Sequence, residues 1–136
     1  MQNPRVKSDL ICYLPEHIPE VWDSAKGHLQ RALDRGSRYT LSDIYDGLIT
    51  SRMQLWVSFN WETRSIEAAL VTSIQDGYCL LLACGGQNMR EWAQWLEIVE
   101  KWAREHGCEE LRIYGRRGWA KVLGFEIEYT KMVRKL

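Results

Sequence analysis

Apolar residues recur along the N-terminal part of the chain with the spacing of a helix. Between residues 18 and 33 they return every three or four positions, which predicts an amphipathic helix. Pro19 lies near its start, where proline is tolerated, and Gly36 is placed to end it. The short apolar segment from Leu10 to Leu14 precedes it as a candidate first strand.

A second, shorter helix follows. Thr40 and Asp43 have the spacing of a capping box, in which two side chains each bind a backbone N–H at the helix start. The residues that give this helix an apolar face are Leu41, Ile44, Tyr45 and Leu48.

Three apolar segments then follow at short intervals, at residues 53–59, 65–74 and 78–84. Residues 60–64 join the first two, and Gln75-Asp76-Gly77 joins the last two. An Asp-Gly pair between apolar segments is a strong hairpin signal. The pattern therefore predicts three strands in an antiparallel meander.

The longest helical pattern begins after Asn88 and Glu91, which we expect to cap it, and Gly107 is placed to end it. Its apolar stripe consists of Trp92, Trp95, Leu96, Val99, Trp102 and Ala103. A strand at 109–114, a short helix at 118–123 and a strand at 125–133 complete the chain. This order predicts an α+β fold in a single domain, residues 1–136, with one sheet and helices packed on it.

The chain contains seven Trp residues, and most should be core or interface anchors because each offers a large apolar area. We expect the stripe of the longest helix to be buried on the sheet. Alternation along the strands predicts that Leu80 and Leu82, with Leu111 and Ile113, face it.

Composition limits the classes of function. Lys and Arg together number 18, as do Asp and Glu, so the bulk charge gives no indication of nucleic-acid binding. No apolar segment approaches the length of a membrane span. The four Cys residues form no C-x-x-C pair and the three His residues are scattered, so we predict no metal site and a reducing, cytoplasmic location.

A strand, a Gly-Gly turn at Gly85-Gly86 and a helix start follow one another in the chain. Free N–H groups at a helix N-terminus favour a bound pyrophosphate or carboxylate, so this junction is a candidate anion site. Cys84 lies beside it and has two interpretations. It is either a nucleophile activated by the helix end or a small buried thiol, and the second is the commoner case.

Two stretches resemble the GNAT superfamily of acetyl-CoA-dependent N-acetyltransferases. WAREHGCEELRI, with Gly107-Cys108, is similar to that family's junction between its long helix and the next strand. VLGFEIEYTKMV, with Gly124-Phe125, is similar to its closing segment. The end of the chain is also similar to short phage-encoded GNAT-like proteins. The resemblance implies a mixed sheet with an antiparallel meander, a central parallel pair and flanking helices.

The resemblance also implies a site for acetyl-CoA between the strand at 78–84 and the strand at 109–114. The residues that it assigns to cofactor binding are Leu82, Ala83, Cys84, Gly85, Gly86, Gln87, Asn88, Met89 and Arg90. Met89 and Glu91 stand where the family's phosphate loop has a glycine and a small residue. A carboxylate at Glu91 would repel a pyrophosphate.

A tyrosine and a glutamate are candidates for acid and base catalysis. Many family members carry a proton-donating Tyr four residues before the glycine that matches Gly124, but this chain has Ala120 there. Tyr114 is then a candidate acid. Glu67, the one carboxylate within the three-strand meander, is a candidate base, and a solvated strand-end Glu is its plainer interpretation.

Two hypotheses of function follow. In the first, the protein is an N-acyltransferase that acetylates a primary amine of a small molecule or protein. In the second, it is an inactive GNAT-like scaffold that binds a protein partner, as a component of a phage particle or in the host cytoplasm. The topology favours the enzyme and the loop departures favour the scaffold; a homo-oligomer is compatible with both. Neither involves nucleic acid or a membrane.

Overall fold

The structure of the protein is a computed structural model, and it describes residues 8–34, 38–86, 89–113 and 134, without the side chains of residues 89–93. A 3-10 turn at Pro15–His17 follows the first strand. The strands and helices, in chain order, are β1 Ser8–Tyr13, α1 Ile18–Leu33, α2 Leu41–Ile49, β2 Gln54–Asn60, β3 Ser65–Gln75, β4 Tyr78–Gly86, α3 Met89–Glu105 and β5 Glu110–Ile113.

The described strands form one sheet in the order β1-β2-β3-β4-β5. The pairs from β1 to β4 are antiparallel, and β4 pairs with β5 in parallel because α3 crosses between them. The predicted α+β class, the meander and the parallel pair are thus confirmed. Three helices accompany this sheet in the described part of the chain.

The ends of the elements follow their local chemistry. Pro19 lies in the first turn of α1, and the helix ends at Leu33, ahead of the predicted Gly36, which lies outside the described residues. β1 covers Ser8–Tyr13 where 10–14 was predicted, and Leu14 is exposed before the turn that begins at Pro15.

The predicted capping box is confirmed. Asp43 N donates to Thr40 Oγ1 over 3.1 Å, and Thr40 N donates to Asp43 Oδ2 over 2.9 Å. Gly77 in the hairpin turn and Gly107 after α3 have positive φ values of 79° and 83°. Both lie in the left-handed region that favours glycine, as their predicted roles require.

The sheet carries a core on each face. On one face α1 and α2 cover a cluster that includes Leu55, Val57, Ala69, Val71 and Ala83. On the other face α3 contributes Leu96 and Val99 to a cluster with Trp56, Ala68, Leu70 and Leu81, against which Trp95, Leu111 and Ile113 pack.

The predicted orientation of β4 was wrong. Leu81 contacts the α3 cluster, whereas Leu82 packs against the α1 cluster. The parallel register is the reason, because it pairs Cys79 with Leu111 and Leu81 with Ile113, which places Cys79 and Leu81 on the face that was predicted for Leu80 and Leu82. The β-bulge opposite Val71 and Thr72 then makes Leu82 an extra residue, so that Leu82 and Ala83 both lie on the α1 side. The predicted cap at Asn88, the short helix and the last strand lie outside the described residues.

Candidate functional site

The candidate site is the edge of β4 that faces β5. The parallel pairing joins Tyr78–Leu81 to Glu110–Ile113, and β4 then continues to Gly86. Within the described ranges, Leu82–Gly86 has no strand partner on that side. When a strand has a partner on just one side, every second residue directs its N–H and C=O groups away from that partner. This edge therefore offers a row of backbone donors and acceptors that leads toward the start of α3.

The β4 strand has a bulge at Leu82, one residue beyond the last described pair with β5, Leu81↔Ile113. Pairing with β3 passes from Thr72↔Leu81 to Val71↔Ala83, so Leu82 is the extra residue. A bulge bends its strand and increases the local twist. The bulge therefore bends β4 at the start of the segment Leu82–Gly86.

Gly85 and Gly86 lie within β4 and not in a turn, so the predicted Gly-Gly turn was wrong. A Cβ on Gly85 would overlap the carbonyl oxygen of His28 in α1. A Cβ on Gly86, whose φ is 143°, would overlap Ala68 and lie 2.5 Å from the carbonyl oxygen of Glu67. Close packing of α1 and β3 thus requires both glycines.

His28 connects α1 to both strands of this region. Its carbonyl lies over Gly85, and its ring Nε2 is 3.0 Å from the carbonyl oxygen of Ile66. Arg31 approaches the other ring nitrogen, Nδ1, at 2.6 Å. A guanidinium only donates, so Nδ1 accepts and Nε2 carries the proton that it donates to Ile66. The ring therefore fixes α1 against β3.

Glu67 occupies a second bulge, between the pairs Phe59↔Ile66 and Ser58↔Ala68. The bulge places Ile66 on the α1 face of the sheet and Ala68 on the α3 face.

The Glu67 carboxylate accepts hydrogen bonds from two side chains, Asn60 Nδ2 at 2.6 Å and Ser8 Oγ at 3.3 Å. It is half-buried, and it forms no ion pair with a described residue. Glu67 is thus a carboxylate near the start of β3 that side chains of β2 and β1 hold in place.

The Cys84 thiol packs against the α3 cluster, and burial raises its pKa to about 12. A thiol with this pKa is protonated near neutral pH, so Cys84 is a packing residue and not an activated nucleophile. Trp95 packs against the same cluster, and its indole Nε1 is buried without a hydrogen-bond partner in the part of the chain that the structure describes.

The remaining predicted site residues divide into two groups. Met89 and Arg90 begin α3, as predicted, although their side chains are not described. Gln87, Asn88 and Tyr114 lie outside the described residues. The sequence did not predict the contact of the His28 ring with β3, nor the Trp95 Nε1–H that has no described partner. A helical apolar pattern does not show what a ring nitrogen will contact.

The described ranges show neither a cluster of metal-ligating side chains nor a membrane-spanning helix. No three His, Cys, Asp or Glu side chains lie close enough together there to hold a metal ion. No helix in those ranges has the length and apolar character needed to cross a bilayer.

Comparison with known proteins shows likeness in structure alone. No protein-family model matches the sequence, and no curated protein is similar to it. Aminoglycoside N-acetyltransferase AAC(6')-Iy in complex with CoA superimposes with a TM-score of 0.65 at 18% identity, over 98% of this chain and 99% of that chain.

Two further acetyltransferase structures also superimpose on this chain. A predicted acetyltransferase from Clostridium acetobutylicum with acetyl-CoA has a TM-score of 0.65 at 10% identity, over 95% of each chain. An acetyltransferase from Trypanosoma brucei has 0.63 at 14% identity, over 95% of this chain and 99% of that chain. The protein therefore has the GNAT fold that these acetyltransferases share.

Proposed function

We propose that the protein is an N-acyltransferase, a single domain over residues 1–136, that transfers an acetyl group from acetyl-CoA to a primary amine. The observation that carries the proposal is the open edge of β4 at Leu82–Gly86, which leads into the N-terminus of α3. The CoA-bound acetyltransferases with this fold support it.

Acetyl-CoA would lie in a cleft beside this edge of β4, and backbone and side-chain groups of nearby residues would bind it. Backbone groups of Leu82–Gly86 would bind its amide-containing arm, and residues 87–90 at the start of α3 would bind its phosphates. The Nε1–H of Trp95, which has no partner among the described residues, would be a further donor. Gly85 and Gly86 are explained by packing and add nothing to this argument. When bound, acetyl-CoA supplies an acetyl group activated as a thioester.

The chain would contribute chiefly position and hydrogen bonds. N–H groups along the open edge of β4 would stabilise the oxyanion that forms at the acetyl carbonyl. Because Cys84 is protonated near neutral pH, we propose direct attack by the amine without an acyl-cysteine. We propose Glu67 as the base, acting through water, since its carboxylate is held by Asn60 and Ser8. Tyr114 is the proposed acid.

Calorimetric titration with acetyl-CoA tests the proposal directly. We expect saturable heat from the wild-type protein and strongly reduced heat from Arg90→Glu, because contacts between arginine and phosphate are among the stronger hydrogen bonds. Arg104→Glu is the matched control: Arg104 lies in the last turn of the same helix, exposed and 3.5 Å from Glu100.

Absence of heat at about millimolar acetyl-CoA, a concentration that detects even weak binding, would contradict the proposal. The scaffold hypothesis would then remain, with a protein partner in a phage particle or host complex. Equal losses in Arg90→Glu and Arg104→Glu would place the phosphates elsewhere.

Replacing Glu67 with Gln tests the base. We expect kcat to fall about 10²-fold or more, since general-base catalysis contributes that much, while acetyl-CoA binding is unchanged. Glutamine keeps an oxygen that accepts from Asn60, so the bulge should persist. The measurement is thiol release with a panel of aminoglycosides and lysine peptides. Glu97→Gln, on exposed α3 surface, is the control. An unchanged kcat would remove Glu67 from the chemistry.

A further inference from the structure

A groove between the first halves of α1 and α2 shares no residue with the cleft beside β4. Its volume is about 300 Å³, at the lower limit of small-molecule sites. The residues that line it are Pro19, Trp22, Asp23, Leu41, Ser42 and Tyr45. Because it lies apart from the proposed acyl-transfer cleft, its role is independent of that proposal.

Two aromatic rings form the walls of the groove. The Trp22 and Tyr45 ring centroids are 5.1 Å apart with an interplanar angle of 64°, an edge-to-face arrangement. Such a pair covers a face of one ring with the edge of the other and leaves further ring surface open. Both side chains are half-buried. The negative potential of an aromatic face attracts cations, most strongly for Trp.

Acidic residues are frequent in the two segments that form the groove. Residues 15–26 and 38–49 contain five acidic side chains against the cations Lys26 and Arg38. Asp23 lines the groove and pairs with Lys26 Nζ at 2.9 Å. Asp23 is 87% exposed in that pair, so the ion pair is worth little and a bound cation can displace Lys26. The groove thus combines two aromatic side chains with the carboxylate of Asp23.

We propose that this groove binds an organic cation, the guanidinium or alkylammonium group of a ligand. Aromatic faces and a carboxylate together recognise such groups. Mg²⁺ and Ca²⁺ instead require several oxygen ligands around one point, and the residues that line the groove do not provide such a set. A neutral ligand would gain nothing from the Asp23 carboxylate. The cation lies against the ring surface that the Trp22–Tyr45 pair leaves open, and Asp23 balances its charge.

The first test is NMR titration of the ¹⁵N-labelled full chain with L-argininamide. The indole N–H signal of Trp22, identified as the one missing in Trp22→Phe, should shift saturably with a Kd of about 1 mM. The control ligand is L-citrullinamide, which has nearly the same shape without the charge. Equal shifts with both ligands, or no shift at about 10 mM, would overturn the proposal.

Two substitutions locate the contacts. Asp23→Asn and Tyr45→Leu should each weaken argininamide binding about threefold to tenfold, since one removes the carboxylate and the other an aromatic face. Glu97→Gln on exposed α3, on the opposite face of the sheet, removes the same charge and should leave binding unchanged. If Tyr45→Leu fails to fold, Asp23→Asn still decides, because Asp23 is exposed. Equal effects of Asp23→Asn and Glu97→Gln would overturn the proposal.

The source of the cation is read from two further probes, spermidine and an acetyl-Arg-Arg-Arg-amide peptide. Tighter binding of spermidine identifies a free polyamine as the natural class of ligand, and tighter binding of the peptide identifies an arginine-bearing segment. Either result supports the groove as a cation site if Asp23→Asn weakens it. Binding of either probe that is insensitive to Asp23→Asn contradicts it.

Discussion

Replacing Gly85 with alanine is expected to lower the free energy of unfolding by about 3 kcal/mol, which corresponds to a fall in Tm of about 10 °C. The new Cβ would overlap the backbone carbonyl of His28, an atom that cannot rotate away as a side chain can. The His28 ring is also held by the carbonyl of Ile66, so α1 must shift as a whole. Urea denaturation measures the loss.

Gly27→Ala is the matched control, because Gly27 lies in α1 one residue before His28. A Cβ at Gly27 meets nothing within 4 Å, so alanine should stabilise the protein by about 0.5–1 kcal/mol through its higher helix propensity. A loss below about 1 kcal/mol for Gly85→Ala would mean that α1 is displaced without strain and would contradict the described contact between α1 and β4.

Trp56→Ala should cost about 3–5 kcal/mol, the range for removing a large aromatic side chain from a core. Trp56 is 4% exposed, its Nε1 donates to Thr72 Oγ1 over 3.0 Å, and the Thr72 hydroxyl donates to Gln54. Its ring also meets Trp102 edge to face at 5.2 Å. The substitution removes both the packing and the hydrogen bond, and thermal or urea unfolding reports the sum.

Trp61→Ala is the comparison for that change. Trp61 follows the same strand but is 56% exposed, with Nε1 bound to Asp9. We expect it to cost less than about 1 kcal/mol, as surface substitutions usually do. Similar losses for the two tryptophans would contradict the assignment of Trp56 to the core and of Trp61 to the surface.

The order of elements was predictable because several boundaries carry a local signal. Thr40 and Asp43, the Asp76-Gly77 turn and Gly107 act through contacts within a few residues, so the sequence shows them directly. The parallel pairing of β4 and β5 followed from the helix between them, since a crossover returns the chain in the same direction.

The bulges and the site depended on distant contacts and were not predictable. Nothing near Leu82 or Glu67 indicates an extra residue, because a bulge arises from the mismatch between two paired strands. The interpretation of Gly85-Gly86 as a turn failed for the same reason: the atom that requires glycine belongs to His28, far away in the chain.

The close approach of His28 to Gly85 bears on how related sequences should be compared. A chain with this fold that carries a larger residue at the position of Gly85 must hold its first helix farther from the sheet. The residue there therefore reports the spacing between the two layers. A Gly-Gly pair ahead of the long helix is not, by itself, a marker of nucleotide binding, and a search that scored it as one would group chains by layer spacing.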